Sequence, residues 1–184
     1  LFEFERHCGT DSSIQIVSSL QAKESSESRQ RDIYDSHRHR TFSLAYYMTG
    51  NEVEAEKILT QTFIRSFQIK AEPCGEDVDR ALVGRLREQF PLDGEEPAAV
   101  VQPAAKGAPG CGNVRRTDLE EAIQTLPPTE RLLFLLRDVE GYTSAAIAKL
   151  LEMPEPRVQR SLFSARIRLQ QALAAAGAER RAAA

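Results

Sequence analysis

Apolar residues recur every three or four positions along most of the chain, and strand-like alternation is nearly absent, so the sequence predicts an all-α protein. Residues 1–10 read as a loosely packed arm, with Phe2 and Phe4 as its sizeable apolar groups. Asp11 or Ser12 is suited to cap a short helix carrying Ile14, Val17 and Leu20. Residues 23–31 are polar and Ser-rich, either a loop or the solvated start of the next helix. From about residue 29 to 48 the pattern is helical, with Tyr34, Phe42, Ala45 and Met48 on its apolar side and Ile33 and Leu44 beside them. Gly50 suits a left-handed helix end, and Asn51 suits an N-cap, with Glu52, Glu54 and Glu56 in the turns that favour negative charge. The next helix runs to about residue 70 with the stripe Ala55, Ile58 or Leu59, Thr62, Phe63 and Phe67. Neither helix can bury a face alone, so an antiparallel pair is expected.

Pro73 and Gly75 break the chain, and residues 77–90 form a further helix with Val78, Leu82, Val83 and Leu86 facing inward. A stretch rich in Pro, Ala and Gly and without period follows, as a flexible linker would. The expected organisation is therefore two small helical domains, residues 11–90 and 115–175, joined by a linker over 91–114. The second domain opens with a helix over 118–125, whose core residues are Leu119, Ala122 and Ile123. Leu126, Pro127 and Pro128 make a corner. Thr129 is placed to cap a helix over 130–140, with Leu132, Leu133, Leu135 and Leu136 buried and Gly141 as its stop. Residues 174–184 are of low complexity.

Residues 143–173 carry the most distinctive pattern. Thr143 or Ser144 caps a helix with the apolar residues Ile147, Ala148, Leu150 and Leu151. Residues 152–156 interrupt it, and Pro154 is tolerated only at a helix start. The period resumes at Val158 and continues through Leu162, Ala165 and Leu169. The other faces carry Arg157, Gln159, Arg160, Ser161, Ser164, Arg166 and Arg168, and from Arg157 to Arg168 there is no acidic residue. A helix fits the major groove of B-DNA, where Arg and Gln make paired hydrogen bonds to base edges while Ser and further Arg reach phosphates. The plainer alternative is a helical hairpin with a solvated Arg-rich face.

Composition narrows the choice. The 184 residues are 41% hydrophobic and 28% charged, with a net charge of −3 and no Trp. That size suits one or two small domains, and the acidic total argues for local rather than broad contact with nucleic acid. Cys8, Cys74 and Cys111 are far apart, and neither they nor His7, His37 and His39 make a ligand set, so no metal or cofactor is expected. A reducing cytoplasm is the simplest setting. No stretch is long and apolar enough to cross a membrane, and the first residues, although they start at Leu1 rather than Met, are too polar for a signal peptide. No nucleophile–base pair or phosphate loop marks an enzyme.

Two segments resemble bacterial sigma factors of the sigma-70 family, extracytoplasmic-function (ECF) type. Residues 32–67, DIYDSHRHRTFSLAYYMTGNEVEAEKILTQTFIRSF, look like region 2, with MTGN, AE and TF in the expected places. Residues 122–173 look like region 4, with LPPTERLLFLLRDVEGYTSAAIAKLLEMP followed by Val158, Leu162 and Ala165-Arg166. The resemblance implies a promoter-recognition subunit of RNA polymerase. It implies that Thr143, Ser144, Arg157, Gln159, Arg160, Ser161, Ser164 and Arg166 contact DNA at the −35 element. It implies that Glu54, Glu56, Lys57, Thr60 and Gln61 dock on the polymerase β′ subunit, that region 4 meets the β subunit, and that an anti-sigma factor is a further partner.

The departures point to a divergent region 2. Lys57 stands where the family carries an acidic residue, and Thr60-Gln61 replaces a Gln-Glu pair. Residues 77–90 lack the expected Trp and basic tail, although opening a promoter needs cations for the backbone and aromatic platforms for flipped bases. Glu152 stands where the family's turn commonly has Gly, so the turn must do without a positive φ or strain to reach one. The alternative function is a sigma-like regulator that binds an anti-sigma factor, or binds DNA without melting it. A tether between the domains would let them pack together and hide their binding faces, or separate along a promoter.

Overall fold

The computed structural model describes residues 11–92 and 115–182, with side chains for 25–92 and 115–178. The expected N-terminal arm and nearly all of the expected linker lie outside the described residues. Every described element is helical: α1 (Asp11–Thr49), α2 (Glu52–Ile69), α3 (Gly75–Gln89), α4 (Arg116–Thr125), α5 (Pro128–Phe134), α6 (Ser144–Leu151) and α7 (Glu155–Ala182).

Helix α1 is one continuous run of 39 residues. The Ser-rich stretch at residues 23–31 is therefore helical and not a loop, because its Glu, Gln, Lys and Arg residues carry little propensity cost on a solvated helix. Gly50 ends α1 at φ +68°, a region closed to most side chains. Asn51 then starts α2, its side-chain oxygen accepting from the Val53 N–H at 2.8 Å and the Glu54 N–H at 3.3 Å. Helices α1, α2 and α3 pack on one another as a first lobe around Leu44, Ala45, Met48, Ala55, Ile58, Phe63, Val78, Leu82 and Leu86. Ile58 rather than Leu59 takes the core position, and Ser66, whose hydroxyl donates to the Thr62 carbonyl at 2.9 Å, is buried one residue before Phe67.

Helices α4 to α7 form the second lobe. All four leucines expected in the core of α5 are buried. The helix does not run evenly to Glu140, however. Residues Leu135–Val139 form a π-turn, which lets Leu135 and Leu136 both face inward before Gly141 stops the chain at φ +76°. Two expectations are corrected here. Thr129 is not the cap: Pro127 holds the N-cap position with Pro128 at N1, and the Thr129 hydroxyl donates to the Leu92 carbonyl at 2.8 Å. Leu119 is 36% exposed, whereas Ala122 and Ile123 are buried: the three share one face, but Leu119 lies in the first turn of the ten-residue α4, a turn before the buried pair.

The lobes touch. Helix α1 meets α4 and α5, and α3 meets α6. One buried apolar cluster includes residues of both lobes, from Leu44 and Leu82 to Leu133 and Leu151. Leu92, at the end of the first lobe, belongs to that cluster and is 3% exposed, so the chain leaves the core later than its Pro-rich composition suggests.

Candidate nucleic-acid interface

The bihelical unit of α6 and α7 is built by local chemistry. Thr143 holds the N-cap of α6, its hydroxyl oxygen accepting from the Ala146 N–H at 3.1 Å. Ile147 and Leu151 are buried on the opposite side. Glu152 then adopts φ +53° and ψ +40°, the left-handed conformation usually left to glycine. The chain thus strains a glutamate into the turn, and the Met153 N–H returns to the Ala148 carbonyl at 2.9 Å. Pro154 supplies the carbonyl that accepts from the Arg157 and Val158 N–H groups at 2.9 and 3.2 Å, opening α7.

Helix α7 buries Val158, Leu162, Ala165 and Leu169, the stripe expected from the period. It also buries Ser161 and Ser164, 2% and 4% exposed, so these two are not on the outward face. The reason is angular. Positions 158, 161, 162, 165 and 169 span one broad side of the helix, and α4, α5 and α6 cover it. Ser164 donates instead to Glu130 Oε1 at 2.9 Å, and Arg168 Nε forms an ion pair with Glu130 Oε2 at 3.2 Å without hydrogen-bonding it, so a hydroxyl and a cation of α7 face a carboxylate buried on α5.

The outward face carries Gln159, Arg160, Phe163 and Arg166, with Arg157 half-buried beside them. Arg160 Nε donates to the Pro156 carbonyl at 3.4 Å, and Gln159 Nε2 to Glu155 Oε1 at 3.3 Å, both within the first turns. Arg166 donates from Nε at 3.1 Å and from Nη2 to the two oxygens of Asp138, and this contact raises its pKa above the ordinary arginine value. Phe163 is 57% exposed among these polar groups. It escapes a reading of the stripe because it sits one residue, about 100°, past Leu162. Thr143 is exposed and Ser144 half-buried at the start of α6.

The second candidate set lies on α2. Glu56, Lys57 and Thr60 are exposed and share one face with Val53 and Ile64, 71% and 52% exposed. Glu54 turns toward α3, accepting from Gln89 Nε2 at 3.2 Å, and Gln61 is half-buried.

Residues 116–169 match the family model for sigma-70, region 4. Over 169 aligned residues the chain is 25% identical to the ECF RNA polymerase sigma factor SigE of Mycolicibacterium smegmatis. The chain is thus similar to sigma-70 factors of the extracytoplasmic-function type, with residues 116–169 carrying the region 4 match. The alignment covers 75% of this chain and 59% of the mycobacterial protein, so the chain spans little more than half the length of that relative. The fold is shared with the sigma factor RpoE of Bartonella quintana, solved in complex with the anti-sigma factor NepR. That likeness has a TM-score of 0.56 at 14% identity and covers 74% of this chain and 91% of the other. Both overlaps are longer than the region 4 segment and so extend into the first lobe.

No described helix is long and apolar enough to cross a membrane, and no described group of His, Cys, Asp and Glu has the arrangement to hold a metal ion.

Proposed function

We propose that this chain is an ECF-like sigma factor that recognises promoter DNA through α7 and directs transcription initiation by RNA polymerase. The observation that carries the proposal is the outward face of α7, where Gln159, Arg160, Phe163 and Arg166 stand together on a helix braced from behind by Val158, Leu162 and Leu169. Arg and Gln suit base edges, a phenyl ring suits a thymine methyl group, and Arg157 with Thr143 and Ser144 suits the flanking phosphates. In this reading the first lobe acts as region 2, residues 115–175 act as region 4, and the −35 element is the target of α7. The exposed face of α2, with Glu56, Lys57 and Thr60, docks on the β′ subunit, Glu54 and Gln61 supporting its edges. Region 4 meets the β subunit, and an anti-sigma factor is a further partner, as the Bartonella complex suggests.

A second reading, a regulator that binds DNA or an anti-sigma factor without melting a promoter, is favoured by α3. Its cations are tied: Arg85 to Glu88, Arg80 to Asp77 at 3.5 Å, and Arg87 to the Leu151 carbonyl. Phe90 is the aromatic residue at its end. Stacking platforms and unengaged cations are what single-stranded DNA needs. Transcription from a promoter library with purified core polymerase tests the choice. Promoter-dependent transcripts support the first reading, and DNA binding without core polymerase binding supports the second.

A further inference from the structure

The two ion pairs of α7 with the end of the preceding helix differ in kind. Arg168 faces Glu130, whose side chain is 5% exposed, so that pair belongs to the packing of α5 against α7. Arg166 and Asp138 have side chains 51% and 28% exposed, so theirs lies at the surface. The Asp138 carboxylate takes two donors from one edge of the guanidinium, Nε at 3.1 Å and Nη2 at 2.5 Å. A two-point bond of this kind fixes the plane of the guanidinium as well as its position. Arg166 lies one turn beyond Phe163 and two beyond Gln159, on the face that carries the proposed DNA contacts.

Asp138 stands in the π-turn. There the Glu140 N–H closes on the Leu135 carbonyl at 3.0 Å, five residues back instead of four. Leu135 and Leu136 point inward from this turn, while Asp138 flanks α7. A surface ion pair contributes little to stability, but beside a polyanion it has a second effect. An unpaired guanidinium on this face would displace counterions from whichever phosphate it met, on any sequence. Paired with a carboxylate it carries no net charge to a phosphate and offers only the donors of its other edge. Binding to unrelated DNA competes with every specific site, so losing a sequence-blind contact sharpens discrimination.

We propose that Asp138 is a specificity-determining residue: by pairing with Arg166 it withholds one cation of the α7 face from the phosphate backbone, so that binding to unrelated DNA is weak and the preferred site stands out. This rests on the reading of α7 as the DNA-facing helix. Asp138 acts through Arg166 and is itself a positioning residue, not a contact.

The test uses the full chain, a random-sequence duplex and a duplex enriched from a random library by the wild type, with affinities measured over a range of salt concentrations. Asp138→Asn keeps the shape and drops the charge. It should bind the random duplex roughly 3- to 10-fold more tightly and steepen the salt slope by about 0.9, the value for one further phosphate. On the enriched duplex the base contacts fix the register of α7, so the gain there is smaller and the ratio of the two affinities falls. Arg166→Gln alone should leave the random-duplex slope unchanged, since the paired arginine meets no phosphate, and this variant carries the test if Asp138→Asn does not fold. In the Arg166→Gln background Asp138→Asn should lose most of its effect. An unchanged slope in folded Asp138→Asn, or a slope shallower by about 0.9 in Arg166→Gln, overturns the proposal. So does an equal gain with and without Arg166, which would make Asp138 a plain repelling charge, or a ratio that does not fall. Wild type and variants that all fail to bind either duplex remove the DNA-binding reading itself, whereas binding with unaltered slopes removes only the role of Asp138.

Discussion

Arg131 of α5 donates to the main-chain carbonyl of Met48, 83 residues earlier, at 2.7 Å. The same guanidinium reaches Gln124 Oε1 at 2.8 Å and the carbonyls of Gln124 and Leu126. Burial lowers its pKa, yet no carboxylate answers it within these contacts. Instead it caps the carboxyl ends of α1 and α4, whose unpaired carbonyls carry partial negative charge. Beside it Gln124 Nε2 donates to the Tyr47 carbonyl at 2.8 Å. The Arg131 guanidinium therefore joins the two lobes as well as two helix ends within them.

Replacing Arg131 with Met keeps much of the volume but strips the carbonyls of their donor. A loss of roughly 3 kcal/mol is expected, the range for leaving several buried polar groups unpaired. Urea unfolding followed by circular dichroism measures it, and a loss within error of zero would mean that water replaces the guanidinium.

Arg160→Ala should weaken DNA binding and relax base preference by roughly 1–3 kcal/mol if the side chain meets a base edge. Binding to a selected duplex against a scrambled one, at several salt concentrations, gives both quantities. Because Arg166 and Arg168 are already paired with carboxylates, the salt dependence should be shallow, a slope of about −2 to −3 for two or three phosphates. A slope near zero would remove phosphate contact altogether.

Ser164→Ala should leave DNA affinity unchanged while costing about 1–2 kcal/mol of stability. Its hydroxyl serves the buried Glu130 and not the solvent face. A drop in affinity at unchanged stability would return Ser164 to the interface.

Glu152→Gly should stabilise the protein by roughly 1 kcal/mol, the strain of holding a side chain in the left-handed region. The pair it forfeits, with Arg87 at 3.9 Å, is mostly solvent-exposed on the glutamate side and contributes little. Differential scanning calorimetry should show a higher Tm, and a lower one would mean that the Arg87 contact outweighs the strain.

Tyr142 brings a pH dependence. Burial first, then its bond to Asp79, pushes its phenol from an ordinary 10.0 up to about 12. The folded protein thus holds this proton more tightly than the unfolded chain. The associated stability is fully present below about pH 10 and is lost as pH rises toward 12. Denaturation midpoints across that window should fall more steeply in the wild type than in Tyr142→Phe. Equal slopes would place the phenol outside the cooperative unit.

Where one helix decides, the residues could be read directly. Asn51 caps α2, Gly50 and Gly141 take positive φ, and the leucines of α5 are buried, because a cap, a left-handed turn and a 3.6-residue period are each specified within a few positions. The all-helical class followed from the same period. What could not be read is what a second helix does to the first. Ser161 and Ser164 are chemically suited to either side of α7, and only the breadth of the surface made by α4, α5 and α6 turned them inward. Leu119 has the right character for a core and sits at the margin of one. Glu152 gave a choice between two turns, and the close return of Met153 to Ala148 selected the strained one.

By itself the sequence determined the helices, their caps and stops, and the arginine-bearing face of α7, since each depends on neighbours three or four positions away. The tertiary structure alone decided which polar residues lie under that face and that Arg40, Asp79, Glu140 and Tyr142 meet at one point. Contacts between groups that far apart in the chain depend on how two lobes dock, and local periodicity carries no record of that.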